Sequence, residues 1–345
     1  MNRTRRRSLA VIAVLGALAA GGLAACSSDA ATGASGSGDG SKAALDSFKV
    51  VLDWSPNTNH NGMYLAKEKG WYADAGLDVT FLEPGDAGSL QVLAGGKADV
   101  AVSVQEELIP ARAAGLPVQS IAAILQHNTS SLVSLASDGI TRPKDLEGKT
   151  YGGYGGQLET ALLDKLVRCD GGDPKKVKSV DVGESDYRVG LERNQYDAVW
   201  IFDGWDGIHL QQQGVKTNTI PFIDHTDCIP DWYTPLLATS TKVEQSRPDD
   251  LKAFMAATAR GYREAMADPD AASAALLAQT HDLDPKLVKA SSTYLSTRYA
   301  DDPKAWGQQQ AKVWDDFSAF LLEAGLIDKQ IDVGAAWTDD YLPGS

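Results

Sequence analysis

Short apolar runs recur along this chain, and each is followed by a stretch with helical spacing. The runs at residues 48–53, 77–82, 98–103 and 118–125 alternate with helix-like segments at 62–69, 88–94 and 105–114. A strand that feeds a helix and then another strand needs a crossover over a sheet face. The alternation therefore predicts an α/β fold, a largely parallel sheet with helices on both faces. The pattern then repeats. A short strand ends at Thr150-Tyr151, a glycine turn fills 152–156, and a helix is expected over 157–167. A strand at 177–182, a helix from Tyr187 to Arg193 and a strand at 197–202 complete the second set. Beyond Pro248 the texture turns helical, with candidate helices at 251–267, 270–279, 285–297 and 303–324, and Pro or Asp near the starts.

Two α/β lobes follow from this. The chain is expected to leave the first near 131–135 and to return near 234–239. Lobe 1 is then 48–133 plus 235–330 with the C-terminal helices, lobe 2 is 134–234, and 331–345 is a tail. Two crossings at one place make a hinge, and ligands of open α/β sheets sit at the carboxyl ends of strands.

The N-terminal segment points outside the cytoplasm. Arg3, Arg5, Arg6 and Arg7 precede an apolar run over 9–20 and then Leu23-Ala24-Ala25-Cys26. Basic, apolar, then small residues is the order of a secretory signal over 1–25. Cysteine directly after it resembles the bacterial lipoprotein processing box, which implies lipid on Cys26 and a cell-membrane anchor on the extracytoplasmic face. Residues 26–47 are dominated by Ser, Gly, Ala and Asp and read as a flexible tether. The formal charge of −14, reached despite those four Arg, argues against nucleic acid and leaves a neutral or cationic ligand. Cys169 and Cys228 fit either a disulfide or two buried thiols. Five scattered His give no metal pattern, so neither metal nor cofactor is expected.

The residues after each predicted strand are candidates for the ligand site. After the first come Asp53, Trp54, Asn57, Asn59 and His60; after the third, Gln105, Glu106 and Glu107; after the fourth, Gln126 and His127. Lobe 2 offers Tyr154 and Glu159 around the glycine turn, and Asp203 and Trp205 after its later strand. Aromatic rings stack on flat ligands, and carboxylates accept from amino groups. These strand ends carry neither Arg nor Lys, the residues an anion asks for. Bland roles remain open: Trp54 as a core cap, His60 as a helix cap, and one of Glu106 and Glu107 facing solvent. The turn GGYGG lacks the Gly-Lys-Ser/Thr ending of a nucleotide loop.

The segment VVLDWSPNTNHNGMYLAKEKGWYADAGLDVTFLEPG, with GGKADVAVSVQEEL and ARAAGLPV after it, resembles the thiamine-pyrimidine-precursor family. That family holds bacterial binding proteins for formylaminopyrimidine and hydroxymethylpyrimidine, and a fungal pyrimidine synthase. The resemblance implies a two-lobe, type II periplasmic-binding-protein fold and a monomer that delivers ligand to an ABC permease and its ATPase. It places Trp54, His60, Tyr154, Glu159 and Trp205 around a pyrimidine. Asp53, Asn59, Glu107, Tyr187 and Asp203 complete the expected ligand-binding set. Riboflavin-binding relatives share the architecture, so a flavin or another flat heterocycle is the alternative ligand, and a pyrimidine-processing enzyme the alternative class. Where the synthase consumes its own Lys and His, this chain has Ser103 and Glu107. Its iron-binding cysteine cluster is reduced to Cys228. The resemblance therefore implies a transporter component and no enzyme.

Overall fold

The computed structural model describes residues 44–183 and 186–344. The signal, Cys26 and most of the tether lie outside these residues. Along the chain the elements run β1 (Asp46–Val51), α1 (Asn61–Glu68), α2 (Trp71–Asp74), β2 (Leu77–Leu82), α3 (Ser89–Ala94), β3 (Val100–Ser103), α4 (Gln105–Ala113) and β4 (Val118–Ala123). Lobe 2 holds β5 (Ser130–Leu135), β6 (Thr150–Gly153), α5 (Gln157–Cys169), β7 (Lys178–Asp181), α6 (Tyr187–Glu192), β8 (Ala198–Phe202), α7 (Ile208–Gln212) and β9 (Thr217–Pro221). The chain returns through β10 (Leu236–Ser240) and ends with α8 (Thr241–Ser246), α9 (Pro248–Ala267), α10 (Pro269–Gln279), α11 (Pro285–Leu295) and α12 (Ala311–Glu323).

Each lobe is built on a five-stranded sheet, ordered β2-β1-β3-β10-β4 and β7-β6-β8-β5-β9. Both are α/β, but each is mixed. β10 runs antiparallel to β3 and β4, and β5 runs antiparallel to β8 and β9. The strands that arrive by crossing between lobes are the ones that reverse. The whole of β5 lies in the second sheet, so the first crossing is at 124–129, earlier than the expected 131–135. The expected tail also packs. Ala336 and Leu342 are buried, and Trp337 bridges to Ser120 on β4.

Sequence chemistry explains the helices. Asp268 and Asp284 accept from the backbone N–H groups of Ala271 and Lys286, with Pro at the first turn of α10 and α11. α1 sits close on α9 because glycine faces glycine: a Cβ on Gly261 would lie 1.9 Å from the Gly62 carbonyl oxygen. That approach lets Tyr262 stack on Trp306, with ring centroids 4.3 Å apart, and send its hydroxyl to the Asn59 carbonyl at 2.7 Å.

Aromatic residues fill the hinge. Trp232, on the return crossing, is fully buried and stacks on Phe317 of α12 at 5.1 Å. Its edge meets Trp200 of β8 at 6.1 Å. One indole thus cements both lobes, a burial worth on the order of 3 kcal/mol. Beside it His127, on the first crossing, bonds through Nδ1 to Asp231 on the second crossing at 2.6 Å and through Nε2 to Asp301 at 3.2 Å. Both nitrogens face carboxylates, so the ring carries two protons, and the Asp231 hydrogen bond leads in holding its pKa up at about 9. Cys169, closing α5, is disulfide-bonded to Cys228 on the return segment. No helix of the described residues is long and apolar enough to cross a membrane.

Candidate functional site

In lobe 1 the site begins where β1 ends. Asp53 and Trp54 leave the sheet edge, and the loop is then pinned from three sides. Asn57 accepts the Asn59 N–H through its side chain at 2.9 Å and gives its own N–H to His60 Nδ1 at 3.1 Å. Tyr262 and Tyr299 donate to the carbonyls of Asn59 and Thr58. Trp54, 60 % exposed, therefore leads into a braced segment with its ring open to solvent. An exposed indole on a fixed loop is built for a partner that arrives later. Asn59 keeps its side-chain amide free of hydrogen bonds among the described residues.

His60 differs from the expectation. It is 0 % exposed and sits at the residue just before α1, its ring making no capping bond to that helix. With Nδ1 accepting from Asn57, the proton sits on Nε2 and goes to Asp53 Oδ1 at 2.8 Å. His60 therefore aims Asp53 and does not itself reach the cleft. The two adjacent glutamates part company. Glu107 is coupled to Asp53: burial of its carboxyl, then the Asp53 charge, raise its pKa. Glu106 turns toward the Trp232 indole and the Thr234 hydroxyl in the hinge, and burial pushes its carboxyl up to about 8. Glu107 is thus the member of the pair that belongs with Asp53.

In lobe 2 the glycine turn joins β6 to α5, with Gly155 in the left-handed region at φ 71°. Glu159 was expected to read a ligand. Its Oε1 accepts from the Tyr151 hydroxyl at 2.9 Å, and its Oε2 from the N–H groups of Tyr154 and Gly156 at 2.9 and 3.0 Å. With both oxygens engaged, it holds the turn in shape. Tyr154 is 53 % exposed, and its hydroxyl is hydrogen-bonded to that of Tyr187 at the start of α6. Burial, then the bond to Tyr154, raises the Tyr187 pKa, and the Asp206 charge adds to it. The phenol pair therefore lies beside the turn after β8.

That turn, Asp203–Gly207, is a single π-helical turn. Asp203 accepts from the Ser131 hydroxyl at 2.8 Å. Burial first of all lifts its carboxyl to about 6, against the opposing pull of Ser131 and the Arg298 charge. Trp205 was expected to stack on a ligand. It is half-buried against a small apolar cluster of Tyr64, Leu276 and Val288, all on lobe 1 helices. Its indole serves contact between lobes.

Three nearby residues escaped the sequence reading. Phe202, the last residue of β8, is 41 % exposed at the strand end that leads into Asp203. Its signal was its place as the last apolar residue of the run that precedes Asp203. Arg298 and Tyr294, from the end of α11 and just beyond, act electrostatically with Asp203. No local signal marks them, because about a hundred residues separate them from the turn they face. Gln126 and His127, also at a strand end, are consumed by the hinge: Gln126 accepts the Asp301 N–H at 2.9 Å and donates to the Ala305 carbonyl at 3.1 Å.

The family model for NMT1/THI5-like proteins matches residues 57–272, well over half of the chain. The chain belongs to the NMT1/THI5-like family. Within the family, this chain is 28% identical to the formylaminopyrimidine-binding protein of Halalkalibacterium halodurans, over 81% of this chain and 85% of that one. It is 24% identical to the 4-amino-5-hydroxymethyl-2-methylpyrimidine phosphate synthase of Legionella pneumophila, over 85% of this chain and 92% of that one. Among solved structures, the periplasmic aliphatic sulphonate binding protein SsuA of Escherichia coli superposes with a TM-score of 0.67 at 16% identity, covering 84% of this chain and 97% of that one. The NMT1/THI5-like chain thus has the two-lobe fold of periplasmic solute-binding proteins.

Proposed function

We propose that this chain is the substrate-binding component of an ABC importer and captures a thiamine pyrimidine precursor of the formylaminopyrimidine or hydroxymethylpyrimidine type between its lobes. The observation that carries the reading is the pair of open rings, Trp54 at 60 % and Tyr154 at 53 % exposure, at the strand ends of opposite lobes. The carboxylates near them are Asp53, Glu107 and Asp203. Rings of this kind stack on a flat heterocycle, and carboxylates accept its amino protons. The same acidic set disfavours an anion such as a sulfonate. Asp53, Trp54, Asn59, Glu107, Tyr154, Tyr187 and Asp203 line the proposed site, with His60 and Glu159 holding them in place.

The chain acts by binding and not by turnover. Ser103 and Glu107 stand where the resemblance puts the synthase's consumed Lys and His, so the amine needed for that chemistry is missing. Lipid on Cys26 would hold the protein at the outer face of the cell membrane as a monomer, within reach of its permease.

Calorimetric titration of the full chain with formylaminopyrimidine, hydroxymethylpyrimidine, thiamine and riboflavin tests the reading. One of the two pyrimidine precursors should bind. Trp54→Ala should weaken that binding by about 10-fold or more while moving folding stability by no more than about 0.5 kcal/mol, because the ring is open to solvent. Binding of riboflavin alone would shift the assignment to the flavin relatives. Silence from all four compounds would remove the ligand class.

A further inference from the structure

The Trp54 loop and the Asp203–Gly207 turn belong to different lobes, yet one buried hydroxyl joins them. Ser291 on α11 has 0 % exposure. Its Oγ bonds to the Gly204 carbonyl and lies 2.5 Å from Thr58 Oγ1. A serine has a single hydroxyl proton, and a carbonyl can only accept. Ser291 therefore donates to Gly204, and Thr58 donates to Ser291. The Thr58 carbonyl in turn accepts from the Tyr299 hydroxyl at 2.5 Å. The result is a directed chain from the loop that carries Trp54, through α11, to the turn that carries Asp203.

The surroundings are fitted to this chain. A Cβ on Gly204 would lie 3.0 Å from Leu295 Cδ2 and 3.1 Å from Tyr294 Cδ1, so the turn packs closely on the end of α11. Trp205 adds apolar contact with Tyr64, Leu276 and Val288. Further along lobe 2, Gln212 Nε2 donates to the Lys286 carbonyl at 3.0 Å. The other side of the turn is tied to the end of the first crossing, where the Asp203 N–H reaches the Thr129 carbonyl at 3.0 Å, just before β5. Separating the turn from α11 would break the Ser291–Gly204 bond and wet the Trp205 cluster, while the Thr58–Ser291 bond stays within lobe 1.

We infer that Ser291 is a positioning residue for ligand capture: it clasps the lobe 2 turn to the lobe 1 loop bearing Trp54 and so sets the spacing across the cleft. It touches no ligand itself. The inference rests on the proposed function only in taking that cleft as the binding site. A ligand held by both Trp54 and Asp203 favours the clasped arrangement, and its apparent affinity falls by the fraction of molecules that leave it.

The test uses the full chain and two variants, Ser291→Ala, which removes the hydroxyl, and Gly204→Leu, whose side chain must displace Leu295 and Tyr294 from the turn while leaving Ser291 intact. Hydrogen exchange by mass spectrometry, X-ray scattering and formylaminopyrimidine binding are the readouts. Both variants should speed exchange together at residues 57–60 and 203–208, enlarge the radius of gyration and weaken formylaminopyrimidine binding by about 5-fold or more, the scale of one buried hydrogen bond left unmade. Exchange that rises only inside α11, or a radius equal to that of the parent protein in both variants, overturns the clasp. If Ser291→Ala does not fold, Gly204→Leu decides the matter by the same criteria. If formylaminopyrimidine does not bind the parent protein, the capture reading fails, while exchange and scattering still judge the clasp.

Discussion

The hinge histidine gives a pH dependence whose size and sign can be worked out beforehand. His127 is bound at both nitrogens by Asp231 and Asp301, one on the return crossing and one after α11. Folding raises its pKa from 6.5 to about 9, with the Asp231 hydrogen bond as the main cause. Between those values the folded chain keeps a proton that the unfolded chain has released, so stability falls as pH rises. The contribution is complete below 6.5 and gone above about 9. At 1.36 kcal/mol per tenfold change, the rise corresponds to an upper bound of about 3.4 kcal/mol. The His127 side chain is 45 % exposed and that of Asp301 82 % exposed, so solvent screens much of it. A contribution of about 1–1.5 kcal/mol remains after that discount. Urea denaturation of the parent protein and of His127→Gln, at matched ionic strength from about pH 6 to about pH 9.5, isolates the effect because shared titrations cancel. The stability gap between the two should be largest at the acid end and close by the alkaline end. A gap that stays constant across that range would refute the charged clamp.

Two further predictions follow from the lobes. Asp203, with its carboxyl lifted to about 6 chiefly by burial, loses its charge as pH falls through that value. Affinity for an amino-bearing pyrimidine should therefore drop below about pH 6 in the parent protein and become flat with pH in Asp203→Asn, read by titration calorimetry; an identical pH profile in both proteins would exclude Asp203 from the site. The Cys169–Cys228 bond spans a sequence separation of 59. Chain-entropy arguments give about 4 kcal/mol for a loop of that length. The double serine variant should lose about 2–4 kcal/mol in urea denaturation, and a loss under about 0.5 kcal/mol would show that the bond does not constrain the unfolded chain.

Much of this molecule was legible in its sequence, and the gaps share a cause. Strand–helix alternation announced both lobes, since a buried parallel strand and its crossover helix leave local marks. The antiparallel placement of β5 and β10 left none, because strand direction depends on where the chain has travelled between lobes. β9 was missed for a related reason: Thr217–Pro221 is short, polar on one side and at a sheet edge. At the proposed site, Asp53, Trp54 and Tyr154 were expected from position after a strand or at the glycine turn, and the rings of Trp54 and Tyr154 stand exposed. The same rule misjudged His60, Glu159 and His127, whose polar atoms are spent on Asp53, on backbone N–H groups and on the hinge carboxylates. Position at a strand end tells where a side chain starts, while hydrogen-bond bookkeeping tells what remains for a ligand. Ser291, Tyr294 and Arg298 could not be found by any local pattern, since their importance comes from α11 lying against lobe 2.

The strand order of lobe 1 has a consequence for how the protein matures. Its sheet runs β2-β1-β3-β10-β4, so the strand between β3 and β4 is contributed by residues 236–240. A growing chain that has completed β4 still holds an open slot, and every residue of lobe 2 must emerge before the slot can be filled. Lobe 2 is contiguous in sequence apart from this dependence, whereas its neighbour must wait. Closure of that interior strand is therefore a long-range step, its entropy cost set by the whole lobe that intervenes between β4 and β10.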